Sequence, residues 1–249
     1  MTFRPAVSGL LIALTASTAH AGWQDTLKGV LNNPSIQVPA ATSAASSLSS
    51  GEMVNGLKDA LQQGVKLAID YLGKNGGFLN DPSVFIPMPG VLNKVGGSLR
   101  KMGQGKLVDD FEATMNHAAE ISMQQATDIF SDAIKQMSIE DAQKILKGSD
   151  TAATEYFREK SSARLQQAML PIIKSATDKT GVTSSYKNLM GSAGFLASFV
   201  DTKSLNLDNY ITDQAIDGLF LKIAAEEKRI RENPVARSTD LMKKVFGSL

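Results

Sequence analysis

The side chains of this sequence that could do chemistry are carboxylates and arginines at helical spacing. Asn116 and Glu120 are four residues apart, so on a helix they share one face. Glu227 and Arg231 form a second pair with the same spacing, and Arg237 follows them. Two arrangements are open. The pairs lie separately on helix surfaces, where each is worth about 0.3–0.5 kcal/mol, or Glu120 meets Arg231 or Arg237 in a desolvated network inside a helical bundle.

In such a network Glu120 could act as a general base, with an arginine holding an anionic substrate. The composition excludes several other chemistries. The chain has no cysteine, which excludes a thiolate nucleophile, a disulfide framework and cysteine-based zinc or iron–sulfur sites. The sequence also lacks a phosphate loop, a dinucleotide-binding fingerprint and a calcium-loop pattern, and its methionines are dispersed. We therefore expect no metal and no cofactor.

The first residues have the pattern of a secretory signal peptide. Arg4 supplies the positive charge, residues 7–16 form a short apolar region, and A-H-A at 19–21 is a small-x-small cleavage site. The apolar region is shorter than the roughly 20 residues that a membrane-spanning helix needs. We expect cleavage after Ala21, export to the periplasm, and no transmembrane segment in the mature protein. Cleavage leaves His117 as the last histidine, and no G-x-S-x-G context accompanies it, so we expect a helix-surface or packed residue there.

Helical periodicity dominates the sequence after a short N-terminal region. Residues 22–50 predict a short amphipathic helix followed by a flexible linker that is rich in Pro, Ser, Ala and Thr. Residues 51–249 predict an all-α domain, a single multi-helix bundle of about eight helices with one extended Pro-rich segment at 77–90. The apolar stripes predict helices at 50–72, 90–102, 105–137, 138–148, 150–179, 210–232 and 238–246.

Capping residues and helix breakers predict several boundaries. Ser50 is expected to cap the first helix, and Asp208 the helix over 210–232. Pro171 should kink its helix or split it in two. Residues 191–200 are apolar and contain glycine, and a loosely helical hairpin in the core is the simplest interpretation.

Five sequence motifs together resemble one protein family. They are G-F-L-N-D-P…I-P-M-P (77–89), N-H-A-A-E (116–120), D-A-x-x-I-L-x-G (141–148), A-A-T-x-Y-F (152–157) and E-E-x-x-I-R-x-N-P-x-x-R (226–237). In order and spacing they are similar to the signatures of the domain of unknown function 4197 family, which are exported proteins of Gram-negative bacteria, over residues 51–247. The family pattern usually has Leu at the position of Met88 and Arg at the position of His117.

The resemblance implies no activity, because the family has no established one. It does imply that the polar residues of these motifs belong to the family signature. The departure at His117 implies that this histidine is not a shared catalytic group. The candidate binding site or buried polar network comprises Asn116, Glu120, Tyr156, Glu226, Glu227, Arg231 and Arg237.

Three functions are compatible with these residues. The leading one is a non-enzymatic binding or interaction module of the cell envelope, because the residues for difficult chemistry are absent or solitary. The second is a carrier of lipid or another apolar ligand, with segments 84–90 and 191–200 lining or covering a pocket between helices. The third is an enzyme with Glu120 as general base. The balance of 26 Lys and Arg against 25 Asp and Glu predicts no nucleic-acid partner, and leaves a small apolar ligand or an envelope protein.

Overall fold

The part of the chain that the structure describes is built from α-helices. A computed structural model describes residues 48–194 and 206–247, and these two ranges contain no β-strand. The predicted all-α class is confirmed. The predictions for residues 1–47 and for 195–200 lie outside the described residues. The helices are α1 (Ser50–Leu72), α2 (Asn93–Lys101), α3 (Gly105–Ser122), α4 (Ala126–Gln136), α5 (Ile139–Lys147), α6 (Ala152–Thr180), α7 (Val182–Ala193), α8 (Leu207–Glu232) and α9 (Asp240–Gly247).

Serine capping boxes set the starts of α1 and α5. The cap of α1 is Ser49 and not the predicted Ser50, because the Ser49 Oγ accepts a hydrogen bond from the Glu52 N–H at 3.2 Å. The Ser49 N–H in turn donates to the Glu52 carboxylate at 2.9 Å, which completes the box. The capping box predicted for Ser138 and Asp141 is present at the start of α5.

The start of α8 differs from the prediction. Asn206 accepts a hydrogen bond from the Asn209 N–H at 3.0 Å, so Asn206 is the cap and the assignment of Asp208 was wrong. Asp208 lies in the first turn, where the helix dipole favours a negative charge. Its carboxylate accepts a hydrogen bond from the Thr177 hydroxyl at 2.9 Å, which joins α8 to α6.

The single helix predicted over 105–137 is two helices. α3 ends at Ser122, a 3-10 turn covers Met123–Gln125, and α4 begins at Ala126. The Ser122 hydroxyl donates to the Ala119 carbonyl at 2.7 Å, and serine bonds of this kind bend helices. Apolar residues stay buried on both sides of the turn, so the periodicity gives no sign of the break.

α6 continues through Pro171 as one helix of 29 residues, so the chain is not split there. Pro171 is exposed, and water at the surface can satisfy the carbonyl that loses its helical donor. Gly181 ends the helix as predicted, with a φ of +81° that glycine adopts without steric cost.

The core lies around α6 and α8, which pack against each other. α3 and α4 pack on α6, α1 packs on α8, and α9 packs on α1. Phe130 contacts Phe157 and Phe220 edge to face, with 5.2 and 6.0 Å between ring centroids. Such pairs add about 0.5–1.5 kcal/mol each beyond the area they bury. This core fixes α3 and α8, the two helices that carry most of the candidate site. No helix in the described ranges is long and apolar enough to cross a membrane.

Candidate functional site

One face of α3 carries three polar side chains at four-residue intervals. Glu112, Asn116 and Glu120 all bind backbone N–H groups of the segment between α1 and α2. Asn116 and Glu120 are buried, and Glu112 is half-buried. Buried polar groups are costly unless they are hydrogen-bonded, and here the helix and the segment satisfy each other. We call these three residues the polar ladder.

Asn116 pairs with the Ile86 backbone as a neighbouring β-strand would. Its Oδ1 accepts from the Ile86 N–H at 2.8 Å, and its Nδ2 donates to the Ile86 carbonyl at 2.9 Å. The Nδ2 also donates to the Glu112 carbonyl at 2.8 Å. Ile86 is fully buried, so its peptide groups need partners that water cannot supply. The Asn116 side chain therefore provides both the acceptor for the Ile86 N–H and the donor for the Ile86 carbonyl.

Glu120 holds the turn at the beginning of the segment. Its Oε1 accepts from the N–H groups of Phe78 and Leu79 at 3.1 and 3.3 Å. Its Oε2 lies 3.0 Å from Nδ1 of His117, whose side chain is 48% exposed. The buried carboxylate has three partners, and His117 contributes as an orienting contact at the surface.

Glu112 holds the other end of the segment. Its Oε1 accepts from the Met88 N–H at 3.0 Å, and its Oε2 accepts from the Arg100 guanidinium at 3.2 Å. Arg100 lies in the last turn of α2, so Glu112 links α2, α3 and the segment. On the opposite side, the Tyr210 hydroxyl of α8 donates to the Pro87 carbonyl at 3.0 Å.

Asp81 fastens the exposed turn of the segment to α1 and α8. Its Oδ2 accepts from the Tyr71 hydroxyl at 2.9 Å and from the Lys222 ammonium group. Its Oδ1 accepts from the Ser83 N–H and hydroxyl at 3.0 and 2.7 Å. The hydrogen bond from Lys222 is the main reason that the pKa of Asp81 lies well below its ordinary value. Those from Ser83 and Tyr71 act in the same direction, and burial opposes them.

We expect Asp81→Asn to lower the free energy of unfolding by about 1–3 kcal/mol at about pH 7, because hydrogen bonds to a charged group are weakened. The pKa of Asp81 is lower in the folded protein than in the unfolded chain. Its stabilising effect is therefore complete above the unfolded-state pKa near 4 and is lost as the pH falls toward the folded-state pKa. Urea unfolding of both proteins should give a smaller difference at about pH 3 than at about pH 7. An unchanged difference would contradict this assignment.

A second cluster caps the N-terminus of α6. The Glu227 Oε1 accepts from the Ala153 N–H at 2.9 Å, and its Oε2 accepts from the Thr154 N–H and hydroxyl, both at 2.9 Å. The first N–H groups of a helix have no partner within it, and the helix dipole favours a negative charge there. Thr151, at the cap position, makes no side-chain cap. Glu227 on α8 supplies the cap from a distant part of the chain.

Arg231 balances the charge of Glu227. Its Nε and one terminal nitrogen donate to the Glu227 Oε1 at 3.2 and 3.0 Å, and the same terminal nitrogen donates to the Ile145 carbonyl at 2.8 Å. The two side chains are only 11% and 6% exposed. Because Ile145 is on α5, this pair joins α5, α6 and α8.

Arg237 closes the C-terminal end of α8. Its Nε donates to the Ile230 carbonyl at 3.0 Å, and a terminal nitrogen donates to the Arg231 carbonyl at 2.8 Å. Carbonyls in the last turn of a helix have no partner within it, so a buried arginine can satisfy them. Its guanidinium also lies 5.9 Å from the ring centroid of Phe246, which joins α9 to this end of α8.

The remaining two predicted residues lie outside both clusters. Glu226 pairs with Arg229 at 2.6 Å on the partly exposed side of α8. The Tyr156 hydroxyl donates a long hydrogen bond, 3.5 Å, to the Ala133 carbonyl, and burial is the main cause of its raised pKa. Neither side chain forms a hydrogen bond or an ion pair with a residue of the polar ladder.

The meeting of Glu120 with Arg231 or Arg237, one of the two arrangements that the sequence left open, does not occur. Glu120 binds backbone N–H groups of its neighbouring segment, Arg231 binds Glu227, and Arg237 binds backbone carbonyls. The reason is that backbone groups in turns and at helix ends also need hydrogen-bond partners, and charged side chains form strong hydrogen bonds with them. These bonds occupy the side chains that could otherwise pair with one another. Five of the seven candidate residues therefore form two separate arrangements, Asn116 with Glu120 and Glu227 with Arg231 and Arg237.

Sequence reasoning also missed Glu112, Asp81 and Lys222. Glu112 had a visible signal, because it lies four residues before Asn116 and extends the same helical face. Asp81 and Lys222 had none, since 141 positions separate them. Within the described ranges, no group of three or more acidic or histidine side chains could hold a metal ion.

Two openings lie near these residues. An apolar cavity of about 20 Å³, enough for roughly one water molecule, lies between α1, α6, α8 and α9, with Glu227 and Arg231 in its wall. A wider groove of about 300 Å³ lies between α1 and α4. The first is too small for an acyl chain in this conformation.

The fold and the site define an all-α bundle whose buried carboxylates and carboxamide hold its own backbone in place. The family model described as "Protein of unknown function (DUF4197)" matches residues 47–247. The chain belongs to this family, and the resemblance predicted from the five motifs is confirmed. No curated protein and no solved structure matches the chain.

Proposed function

We propose that this protein is a non-enzymatic binding or interaction module of the bacterial cell envelope. The observation that carries the proposal is the way its buried polar side chains are used. A general base needs a lone pair within reach of a substrate. The Glu120 residue is 3% exposed, and its carboxylate already has three partners within the protein. These contacts support a rigid scaffold more than a reaction centre.

The scaffold presents one exposed turn in a fixed position. Asn80 and Pro82 are exposed, while Asp81 between them is tied to Tyr71 and Lys222. The polar ladder holds the same segment from a third side through Glu120. A surface that is ordered before binding loses less conformational entropy when a partner arrives. This turn is therefore the part of the ladder region best suited to contact another molecule.

A role as a lipid carrier has less support. Val84, Ile86 and Met88, which were expected to line or cover a pocket, are 6%, 0% and 4% exposed and belong to the packed core. The apolar cavity near Glu227 has a volume of about 20 Å³. Drug-sized ligands occupy pockets of roughly 300–1,000 Å³, so carriage of a lipid would require a large rearrangement.

The envelope location in this proposal rests on the signal-peptide pattern of residues 1–21, with cleavage after Ala21 and release into the periplasm. The absence of cysteine fits a bundle held by its core and its polar clusters.

Site-specific photo-crosslinking in the native cells tests the proposed function. A photoreactive amino acid replaces Pro82 in one strain and Gln167, which is exposed on α6, in the control strain. We expect a discrete adduct with an envelope component from position 82 and a much weaker one from position 167. Mass spectrometry of the same protein should show a chain that begins at Gly22. Equal adducts at both positions, or a retained N-terminus, would contradict the proposal.

A further inference from the structure

A groove of about 300 Å³ lies between α1 and α4 at the surface. α1 contributes Gln62 and Lys66 to one wall. The other wall contains Gln124 from the 3-10 turn and Thr127 and Ser131 from α4. The groove adjoins the C-terminal end of α1, from which the segment held by the polar ladder continues.

The polar residues of the second wall lie beside the buried face of α4. Gln124, Thr127, Ser131 and Ile134 have three-four-three spacing, so they lie along one side of the helix. Only Ile134 of these four is apolar, and it is 1% exposed. Gln124 and Thr127 are exposed and Ser131 is half-buried, so this side of α4 does not close against α1 and an opening remains.

Four uncharged side chains of the groove have no hydrogen-bond partner within the described ranges. They are Gln62, Gln124, Thr127 and Ser131. Carboxamides and hydroxyls each offer both a donor and an acceptor. Hydroxyl and acetamido groups of a ligand also offer both. Each such group can therefore donate a hydrogen bond to the groove or accept one from it.

The rim of the groove fits the same ligand. Val65, Ile69 and Ile134 lie beneath the groove and are only 5%, 2% and 1% exposed, so the polar walls and the rim offer most of the contacts. Lys66 and Asp70 pair on the rim, where they add one charged donor and one charged acceptor with no net charge. The groove therefore favours an uncharged ligand over an anion or a cation.

We propose that this groove binds an uncharged saccharide that carries hydroxyl and acetamido groups. The proposal rests on the proposed function, because it names a ligand class for a binding module of the envelope. The ladder and Asp81 hold the neighbouring segment, and the groove supplies hydrogen-bonding groups that the fold itself does not use.

Titration of the purified, full-length exported protein with N,N′-diacetylchitobiose, followed by amide NMR shifts, tests this inference. Saturable shifts are expected in residues 62–70 and 124–134. The double variant Gln124→Ala/Thr127→Ala removes two exposed groups of the wall and should weaken binding by about tenfold or more. The control Gln167→Ala, exposed on α6, should leave the affinity unchanged.

Three results would overturn the inference. They are the absence of saturable shifts with the disaccharide, equal affinity of the wall variant and the unsubstituted protein, and tighter binding of trialanine than of the disaccharide. If one of these results occurs together with a specific adduct at position 82, the protein is still an interaction module, and its binding surface is the turn and not the groove. Loss of the adduct with saccharide binding intact would instead remove the role assigned to the turn.

Discussion

Replacing Glu227 with alanine is expected to lower the free energy of unfolding by about 3–5 kcal/mol. The substitution leaves the N–H groups of Ala153 and Thr154 without their acceptor at the start of α6. An unsatisfied buried donor costs about 1–3 kcal/mol. It also leaves the guanidinium of Arg231, whose side chain is only 11% exposed, without its charged partner.

Urea unfolding followed by circular dichroism measures this effect, and the adjacent residue provides a matched control. Glu226 is on the same turn of α8 but pairs with Arg229 near the surface, so Glu226→Ala should change stability by about 1 kcal/mol or less. If Glu227→Ala does not fold, Glu227→Gln keeps an acceptor for α6 and should lose less. Similar losses at positions 226 and 227 would show that the cap on α6 is unimportant.

Glu120→Ala is expected to have the second large effect, a loss of about 2–5 kcal/mol, because the N–H groups of Phe78 and Leu79 lose their acceptor and a cavity forms beside them. The loss of stability should be larger in the turn around Phe78 and Leu79 than in the rest of the bundle. Hydrogen exchange of these two amides should accelerate more than exchange in α6. The control His117→Ala removes the exposed partner of the same carboxylate and should cost about 1 kcal/mol or less.

Glu120→Gln separates a structural role from a catalytic one. Glutamine keeps an acceptor for the turn, so most of the stability and the amide protection should remain. A general base would lose its function completely on this change. If Glu120→Gln left amide exchange unaltered and abolished a cellular function, the scaffold interpretation of this residue would be wrong.

Local chemistry is what made the helices predictable. The apolar stripe through Leu57, Leu61 and Leu72 was sufficient for α1, and Ser138 with Asp141 was sufficient for the start of α5. Errors arose where two local signals compete. Asn206 and Asp208 are both good capping residues, and the choice between them depends on the backbone conformation at position 206.

The two polar clusters could not be predicted in full, because their partners are backbone groups far away in sequence. Glu227 binds Ala153 and Thr154 across 74 and 73 positions, and Glu120 binds Phe78 across 42. A sequence identifies a carboxylate and a helix start, but not which one reaches the other. One of the two open arrangements paired Glu120 with an arginine because side-chain charges are visible in a sequence, whereas unpaired N–H groups are not.

The pairing of Asn116 with Ile86 has a consequence for the behaviour of this chain at high concentration. Residues 84–88, V-F-I-P-M, are apolar and carry no charge, and an extended apolar chain with unpaired N–H and carbonyl groups can pair with another copy as a β-strand. In the folded protein α3 occupies the hydrogen-bonding edge of this segment at Ile86 and Met88, and Pro87 has no N–H to offer. We therefore expect α3 and Pro87 together to prevent this edge from pairing with another copy, so a variant that loses the ladder should expose the N–H groups of Ile86 and Met88 to such pairing.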